Sequence, residues 1–507
     1  MAVGRRRVDG VIAILAVITL GAVSAEARPP NVILLLMDDM GWRDVGFMGN
    51  DFVETPAIDA LARQGMVFTQ SYASAPNCAP TRACLMSGQV PPRHGIYTVV
   101  DPRHAPGSPW QRLLAAESAS DLPTEIVTLP ESLAASGYAT AFLGMWNLGR
   151  GRRGPTTPGG QGFETVVFPE SLGFGKDAYR DDDGRFLSDR LTDELLAFVE
   201  RQRDRPFFAY YADHAVHAPF DPPADLLAKY ERKAATRADR RDDAAYAATI
   251  ECVDRNVARI VAKLAELGLG DDTILVFTSD NGGTPRVTPP LRGAKGELFE
   301  GGIRVPLAVS WPGRIGPGSS DVPVATIDLY PTLLELCGAA RPAGVTLDGT
   351  SLAGLLLRGE RPAPRRLFWH FPCYVGRATP ASAVRDGDWK LVERFEDGGR
   401  AALFDLRGDP GEERDLAAEE PRRAASLLAA LHAWQAETQA AMPADPNPAW
   451  DPAAERPRGG PGGGGQAGGG GGGGQGRGKA TGGRTQNRRD REGGGKARSR
   501  RDSRETP

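Results

Sequence analysis

The hydrophobic positions of the chain form short continuous runs, separated by stretches with helical spacing. Four runs have the length of buried strands and are too short to span a bilayer. They cover residues 31–37, 138–143, 207–212 and 273–279. Helices are predicted at residues 129–136 and 246–267, and the second repeats its apolar residues along one face and ends at Gly268. The first run is typical of a strand in an open α/β sheet.

Beyond residue 365 the pattern changes to short strands separated by turns. Asp-Gly dipeptides at residues 386–387 and 397–398 are turn signals. A last helix at residues 421–438 would cover one face of the resulting small antiparallel sheet. The predicted strands are residues 367–371, 382–385, 389–395 and 403–406.

The amino-terminal end has the pattern of a signal peptide. Three arginines at residues 5–7 precede an apolar run at residues 11–23 and a small-x-small cleavage motif at residues 25–27. An uncleaved membrane anchor is the alternative, but the run is shorter than the ~20 residues that span a bilayer. No other stretch has transmembrane character. We therefore expect an exported protein, periplasmic or secreted, without a stable membrane span.

The carboxyl-terminal end is rich in proline, glycine and arginine, so no core can form there and we expect a disordered tail. Residues 451–507 carry 13 lysines and arginines against 6 acidic residues, a net charge of +7. Because the whole chain carries −3, the rest carries −10. Loose adhesion to acidic polysaccharide and a role in solubility both fit such a tail. No nucleic acid partner is expected.

Length and composition set the expected domain organisation. With 507 residues, of which 41% are hydrophobic, the chain can bury a large core and form a main domain and a smaller one. We predict a signal peptide at residues 1–27, a main domain at 28–355, an α+β subdomain at 356–442 and a tail at 443–507. Five cysteines are too few for a disulfide framework, and their pairing stays open.

A reactive side chain and a helix start coincide at residues 78–88, Cys-Ala-Pro-Thr-Arg-Ala-Cys-Leu-Met-Ser-Gly. Pro80 suits the first turn of a helix, and Gly88 ends it. Cys78 therefore lies at the positive end of the helix dipole beside Arg82, where an anion is stabilised. A small buried hydrophobe is the simpler interpretation of a lone cysteine.

Carboxylates and an amide follow two of the predicted strands. Asp38 and Asp39 end the first apolar run, and Asp280 and Asn281 end the last. Open α/β sheets bind ligands at the carboxyl ends of their strands, and adjacent carboxylates repel each other unless a cation lies between them. Hard oxygen ligands from two strand ends predict a site for a cation such as Ca²⁺.

Several segments, in order along the chain, resemble the formylglycine-dependent sulfatases, an arylsulfatase-like family of the alkaline phosphatase superfamily. The Cys-x-Pro-x-Arg motif that begins at Cys78 is a signature of this family, with Thr81 where the family usually has serine. The other segments are residues 41–46, 55–65, 144–149, 213–220, 291–296, 300–306, 327–332, 347–349 and 403–412, within a resemblance over residues 30–442. It implies an alkaline-phosphatase-like α/β/α sandwich with a mostly parallel central sheet, plus a small carboxyl-terminal α+β domain with an antiparallel sheet.

The resemblance also implies a nucleophile and a metal. Cys78 would be oxidised to formylglycine by a formylglycine-generating enzyme. One hydroxyl of the hydrated aldehyde would attack sulfur, and the other would let the covalent sulfate ester collapse. One calcium ion would be bound by Asp38, Asp39, Asp280, Asn281 and the modified Cys78.

Further site residues follow from the same resemblance. Arg82 and Lys295 belong to the catalytic set, and Lys295 would face the sulfate. His217, in a His-x-Pro segment, would protonate the leaving oxygen. Lys295, His217 and Asn147 would contact the substrate. His214 matches no position of the family, but it is near enough to His217 in the sequence to be a substitute donor.

Two positions in the family's second signature depart from its pattern. Met145 stands where the family has a lysine that holds the sulfate, and Asn147 stands where it has a histidine near the formylglycine. We expect a sulfatase with reduced activity that acts on aryl or carbohydrate sulfates, a sulfated small molecule or polysaccharide. Hydrolysis of phosphate or phosphonate esters is one alternative, and a pseudosulfatase that only binds sulfated glycans is another. The intact Cys78 and His217 favour an enzyme.

Overall fold

The secondary structure follows the hydrophobic pattern in the part of the chain that the computed structural model describes, Met1 and residues 28–100, 106–175, 178–237, 244–283, 290–376 and 378–456. The strands are β1 (Asn31–Met37), β2 (Met66–Phe68), β3 (Ser71–Tyr72), β4 (Leu113–Leu114), β5 (Ala139–Gly144), β6 (Thr165–Val167), β7 (Phe207–Ala212), β8 (Thr273–Ser279), β9 (Leu307–Ser310), β10 (Gly318–Ser320), β11 (Val324–Ala325), β12 (Arg366–Phe371), β13 (Ala381–Asp386), β14 (Trp389–Arg394), β15 (Arg400–Asp405) and β16 (Ala444–Pro446). The helices are α1 (Pro56–Arg63), α2 (Cys78–Ser87), α3 (Pro91–His94), α4 (Leu129–Ala135), α5 (Leu187–Arg201), α6 (Ala224–Ala235), α7 (Ala244–Glu266), α8 (Glu300–Ile303), α9 (Leu329–Leu336), α10 (Ala353–Arg358) and α11 (Pro421–Glu437).

The central sheet has the strand order β10-β2-β9-β8-β1-β7-β5-β6. β9 is antiparallel to both of its neighbours, and the other pairs are parallel. Every residue of β1, β5, β7 and β8 is buried, as expected for parallel strands covered on both faces. The predicted mostly parallel sheet is confirmed.

Helices cover both faces of this sheet. Successive side chains of a strand point to opposite faces, and β1 shows this directly. Ile33 and Leu35 contribute to a core shared with α5 and α7, whereas Val32 and Leu34 contribute to a core shared with α2, α4 and α9. The arrangement is the expected α/β/α sandwich.

The expected smaller sheet is also present. β12, β13, β14 and β15 form an antiparallel sheet, and α11 covers one face of it through Leu427 and Leu431. On the other face, the indole N–H of Trp369 donates to the carbonyl of Ala73 in the main domain, at 2.9 Å. The boundary at residues 355/356 stays a prediction.

A buried ion cluster joins this sheet to the main domain. The ammonium of Lys390 on β14 lies 2.9 Å from a carboxylate oxygen of Glu300 on α8 and 2.9 Å from one of Glu412, and all three side chains are fully buried. Nearby, a Cβ at Gly296 would lie 2.5 Å from a methyl group of Val375. The loop that precedes α8 therefore packs directly against the subdomain.

Residues 443–456 correct the predicted start of the tail, because they belong to the folded part of the chain. β16 pairs with β4, and the buried amide of Asn447 donates to the carbonyls of Ser108 and Gln111 at 2.8 and 2.9 Å. The β16–β4 pairing and the Asn447 side chain attach this segment to the folded chain. The amino-acid composition of the segment does not reveal such contacts. The remaining tail at residues 457–507 and the predicted signal peptide from residue 2 to residue 27 lie outside the described residues.

The structure also bears on the pairing of the cysteines, which the sequence left open, and on the expectation that the chain has no stable membrane span. All five cysteines are free thiols, and all are buried. Among the helices of the described residues, none combines the length and the apolar character that crossing a bilayer requires.

Candidate active site

Four neighbouring strands bring the candidate residues to one edge of the sheet. β8, β1, β7 and β5 are adjacent and parallel, so their carboxyl ends lie side by side. The register pairs Met37 with Ser279, which places Asp38 beside Asp280. The same edge carries the segments that follow β7 and β5.

Cys78 enters this edge as the first residue of α2. All ten residues of the helix are buried, and Cys78 is 5% exposed. Its Sγ and one carboxylate oxygen each of Asp38 and Asp280 all lie within 4.8 Å of one another. Burial raises the pKa of the Cys78 thiol to about 12, so the unmodified side chain is a neutral thiol and a poor nucleophile.

Arg82, one turn further along α2, bridges two of the carboxylates and is fully buried. Its Nε and Nη2 lie 2.9 and 2.7 Å from Oδ2 of Asp280, and Nη2 lies 3.2 Å from Oδ2 of Asp38. Its Nη1 donates to the carbonyl of Met145. The guanidinium therefore fixes the ends of β8, β1 and β5 relative to α2.

The two bridged carboxylates differ in protonation behaviour. Burial would raise the pKa of Asp38, but the Arg82 guanidinium, together with the nearby histidines and Lys295, outweighs burial and holds that pKa below its usual range. For Asp280, burial and the neighbouring Asp38 charge raise the pKa to about 7. The contact with Arg82 is thus not enough to keep the pKa of Asp280 at its usual value, and a further positive charge nearby would favour the ionised form.

Asp39 lies close to side chains from three other segments of the chain. The Nζ of Lys295 lies 2.6 Å from its Oδ1, and the amide of Asn281 donates to the same oxygen at 2.8 Å. The Nε2 of His217 lies 3.7 Å from its Oδ2. Burial would lower the pKa of Lys295, but the Asp39 carboxylate, together with the other acidic groups of the cluster, outweighs burial and raises it, so the ammonium is charged.

The charges and oxygens of this cluster fit a divalent cation. Three buried carboxylates contact the two basic side chains described above, which leaves one negative charge when all three carboxylates are ionised. Oδ1 of Asp38 and Oδ1 of Asn281 are buried without a hydrogen-bond partner in the described part of the chain. Such buried orphan atoms are rare in proteins. Hard oxygens beside uncompensated negative charge are the donor set that Ca²⁺ prefers.

Two histidines stack at the same edge. The rings of His214 and His217 lie 4.9 Å apart, and Tyr179 stacks on the other side of His214 at 5.2 Å. The Nδ1 of His217 lies 2.6 Å from the carbonyl of Ala218. Because a carbonyl only accepts, Nδ1 carries the hydrogen and Nε2 is the atom beside Asp39. His214 is buried, with its Nδ1 3.6 Å from Oδ2 of Asp38.

The two positions that depart from the family pattern follow β5. Met145 and Asn147 are both half-buried. The backbone N–H of Met145 donates to the carbonyl of Ala212 at 3.0 Å, which continues the β5–β7 ladder. Asn147 has a left-handed backbone with φ of 59°. Both residues therefore lie at the edge that holds Cys78 and Arg82, whose guanidinium contacts the Met145 carbonyl.

Sequence reasoning missed some residues that support the site. The hydroxyl of Tyr246 donates to Oδ2 of Asp44 at 2.5 Å, and that oxygen also accepts the N–H of Gly41 at 2.5 Å. These bonds fix the turn that follows Asp39. Tyr179, which donates to the carbonyl of His214 at 3.0 Å, lies in a loop without a motif. A tyrosine in an amphipathic helix or a loop gives no signal of this role.

Comparison with known proteins identifies the family. The sulfatase family matches residues 30–339, and the family described as N-sulphoglucosamine sulphohydrolase, C-terminal, matches residues 294–440. Arylsulfatase A of Homo sapiens is 32% identical over 463 residues, covering 79% of this chain and 85% of the relative. N-acetylgalactosamine-6-sulfatase of Canis lupus familiaris is 33% identical over 412 residues, 74% of each chain.

Solved structures agree with this assignment. The crystal structure of Ps i-CgsB has a TM-score of 0.67 and 27% identity, and the match covers 83% of this chain and 95% of the other. The phosphonate monoester hydrolase of Agrobacterium radiobacter shares the fold, with a TM-score of 0.60, 23% identity and coverage of 81% and 96%. With its alkaline-phosphatase-like fold and a family match that spans β1, α2 and β8, the chain belongs to the sulfatase family of sulfuric ester hydrolases.

Proposed function

We propose that the chain hydrolyses sulfate esters of aryl or carbohydrate alcohols through a formylglycine formed from Cys78, with a bound Ca²⁺. The position of the Cys78 Sγ carries this proposal, because it lies within 4.8 Å of carboxylate oxygens of both Asp38 and Asp280. A neutral buried thiol is a poor nucleophile there, whereas an oxygen nucleophile beside a cation is useful. The name of the relative N-acetylgalactosamine-6-sulfatase supports a carbohydrate sulfate as substrate.

Asp38, Asp39, Asp280 and Asn281, together with the modified Cys78, would hold the ion. Ca²⁺ bound there would polarise the sulfate oxygens and stabilise the charge that develops on them. The acidic residues of the cluster keep one negative charge beyond what their basic partners balance, so a divalent ion leaves one positive charge. That charge suits a sulfate monoester, which carries a single negative charge.

Lys295 and His217 have the most direct proposed roles toward the substrate. The charged ammonium of Lys295 lies at the Asp39 carboxylate and would donate to a sulfate oxygen. The Nδ1 of His217 is held by the Ala218 carbonyl, so Nε2 is the atom that would carry a proton to the leaving oxygen. Asn147 can donate or accept a hydrogen bond but cannot carry a proton. Arg82 would position Asp38 and Asp280.

The formylglycine-generating enzyme needs access to Cys78, and the position of α2 allows that access only before the chain has folded. Formylglycine supplies a hydrated aldehyde, which has the oxygen nucleophile that a thiol lacks. Every residue of α2 is buried in the folded chain, so an enzyme cannot reach Cys78 there. We therefore place the action of the formylglycine-generating enzyme before α2 packs. The proposed signal peptide at residues 1–27 would direct the chain out of the cytoplasm.

The mass of the peptide that contains Cys78 tests the proposal. Protein from the native host is expected to lose one sulfur and two hydrogens and gain one oxygen at this residue, as conversion of a thiol to an aldehyde requires. Trypsin cleavage after Arg82 separates Cys78 from Cys84, which serves as the unmodified control in the neighbouring peptide. Finding only an unmodified thiol at Cys78 would contradict the proposal.

Changing both Met145→Lys and Asn147→His is expected to raise kcat/KM on an aryl sulfate. A missing charged donor costs on the order of 1.5–3 kcal/mol, roughly a 10- to 150-fold loss if it acts in the transition state. The measurement is hydrolysis of 4-nitrophenyl sulfate by the parent and by the double variant. A variant with Met145→Gln and Asn147→Gln controls for the change of shape without adding charge.

The result of this experiment also separates the alternatives. Suppose the double variant gains nothing, and the parent exceeds Cys78→Ala on no ester in a panel of sulfates, phosphates and phosphonates. A pseudosulfatase that binds sulfated glycans would then replace the proposal. Faster turnover of a phosphonate than of any sulfate would instead favour the phosphonate hydrolase.

A further inference from the structure

A basic loop follows the segment that carries Met145 and Asn147. Its six residues, 150–155, have the sequence Arg-Gly-Arg-Arg-Gly-Pro, and all six are exposed. Arg150, Arg152 and Arg153 form no ion pair with an acidic side chain of the described residues. Three guanidinium groups therefore stand in solvent within four positions of the chain.

The ends of this loop are fixed at the active-site edge. The indole N–H of Trp146, the residue between Met145 and Asn147, donates to the carbonyl of Thr156 at 2.9 Å. Oδ1 of Asp121 accepts the backbone N–H of Arg150 at 2.9 Å and the hydroxyl of Thr156 at 3.3 Å. The loop is thus closed at its base by the Asp121 carboxylate and by backbone contacts, and none of these hydrogen bonds uses an arginine guanidinium.

The charge of the loop contrasts with the charge of the chain around it. The residues before 451 carry a net charge of −10, whereas residues 150–155 carry +3. Arginine matches the geometry of sulfate-like oxyanions, because its planar group can donate two parallel hydrogen bonds. Arg150 follows Met145 by five residues, at most about 18 Å of extended chain.

We propose that Arg150, Arg152 and Arg153 bind a second sulfate group of a polysulfated carbohydrate whose reacting sulfate lies at Cys78. The inference rests on the proposed function and names its substrate class. Met145 removes a fixed positive charge from the inner site. The basic loop supplies positive charge outside the inner site. Only a substrate with an anionic group in addition to the reacting sulfate can contact both places. Binding energy from such a remote group can be used at the reacting centre.

Inhibition by sucrose octasulfate, a small polysulfated carbohydrate, tests this proposal. It is expected to compete with 4-methylumbelliferyl sulfate, a substrate with one anionic group. In the variant with Arg150→Gln, Arg152→Gln and Arg153→Gln, Ki should rise about tenfold, the effect of losing three exposed charge contacts. KM for the aryl sulfate should rise by about twofold or less, because its one anion occupies the inner site.

A matched variant removes the same charge at the opposite edge of the sheet. Arg63 and Arg201 end helices that lead into β2 and β7, and Arg314 follows the antiparallel strand β9. All three are exposed. In the variant with Arg63→Gln, Arg201→Gln and Arg314→Gln, Ki should stay within about twofold of the parent, since distant exposed charges are screened.

Two results would overturn the inference. One is a loop variant whose Ki for sucrose octasulfate stays within twofold of the parent, and the other is an equal rise in the control variant. If none of the three proteins hydrolyses the aryl sulfate, the panel of esters decides the proposed function, and calorimetric titration with sucrose octasulfate still tests the loop. Loss of affinity in the loop variant alone then supports the second-sulfate site, and equal affinity in all three proteins overturns it.

Discussion

Replacing Cys78 by alanine is expected to abolish sulfate-ester hydrolysis, with kcat falling by at least about 10⁴-fold. The change removes the thiol group that the formylglycine-generating enzyme must oxidise, so the aldehyde and its hydrate cannot form. The surrounding charges of Asp38, Asp280 and Arg82 remain, so substrate still binds but no covalent step follows. The measurement is kcat on 4-nitrophenyl sulfate with protein expressed in the native host.

Cys84→Ala provides the matched control for this change. Cys84 lies on the same helix and is equally buried, but its Sγ contacts His94 at 3.4 Å rather than the carboxylate cluster. Turnover should therefore persist in Cys84→Ala. Retention of more than about a hundredth of parental kcat by Cys78→Ala would exclude Cys78 as the source of the nucleophile.

His217→Ala extends the same experiment to the leaving group. Loss of a general acid costs about 10²–10⁴-fold, and most where the leaving oxygen is strongly basic. The decrease should therefore be larger on a carbohydrate sulfate than on 4-nitrophenyl sulfate. An equal decrease on both substrates would argue that His217 acts by another route.

The main elements of the fold are predictable because each depends on a local pattern. The runs at residues 31–37, 207–212 and 273–279 coincide with β1, β7 and β8, since a fully buried parallel strand needs an unbroken apolar sequence. α2 begins at Cys78 and Gly88 ends it, as the Pro80 and glycine signals indicate. Local sequence determines such boundaries.

Contacts between distant segments are much harder to predict. The position of Lys295 at Asp39 depends on a loop that packs against the carboxyl-terminal subdomain through Gly296. The pairing of β16 with β4 joins residues more than 300 positions apart and leaves no compositional trace. The stacking of Tyr179 on His214 likewise arises only when the chain is folded. Each of these contacts results from packing geometry, which no single stretch of sequence encodes.

Replacing Arg82 by leucine is expected to destabilise the folded chain strongly. The guanidinium is fully buried and contacts both Asp280 and Asp38, so its removal leaves two carboxylates in a low-dielectric interior without their partner. Removing one member of a buried ion pair costs about 3–5 kcal/mol. The expected result is a marked decrease in the urea concentration at half-unfolding, measured in the presence of a chelator.

Arg93→Leu is the control for this change, because Arg93 pairs with Asp348 at 3.0 Å with side chains 26% and 16% exposed. A partly exposed pair contributes about 0–1 kcal/mol, so its midpoint should change little. Adding Ca²⁺ should raise the midpoint of the parent and of Arg93→Leu by similar amounts, because both keep the proposed site and binding stabilises the folded state. It should raise the midpoint of Arg82→Leu by more, since an ion at Asp38 and Asp280 also supplies the missing positive charge. If Arg82→Leu unfolds at the same urea concentration as Arg93→Leu in chelator, the Arg82 contacts do not hold the strand ends together. If Ca²⁺ stabilises neither variant nor the parent, the carboxylates at the ends of β1 and β8 do not form the proposed cation site.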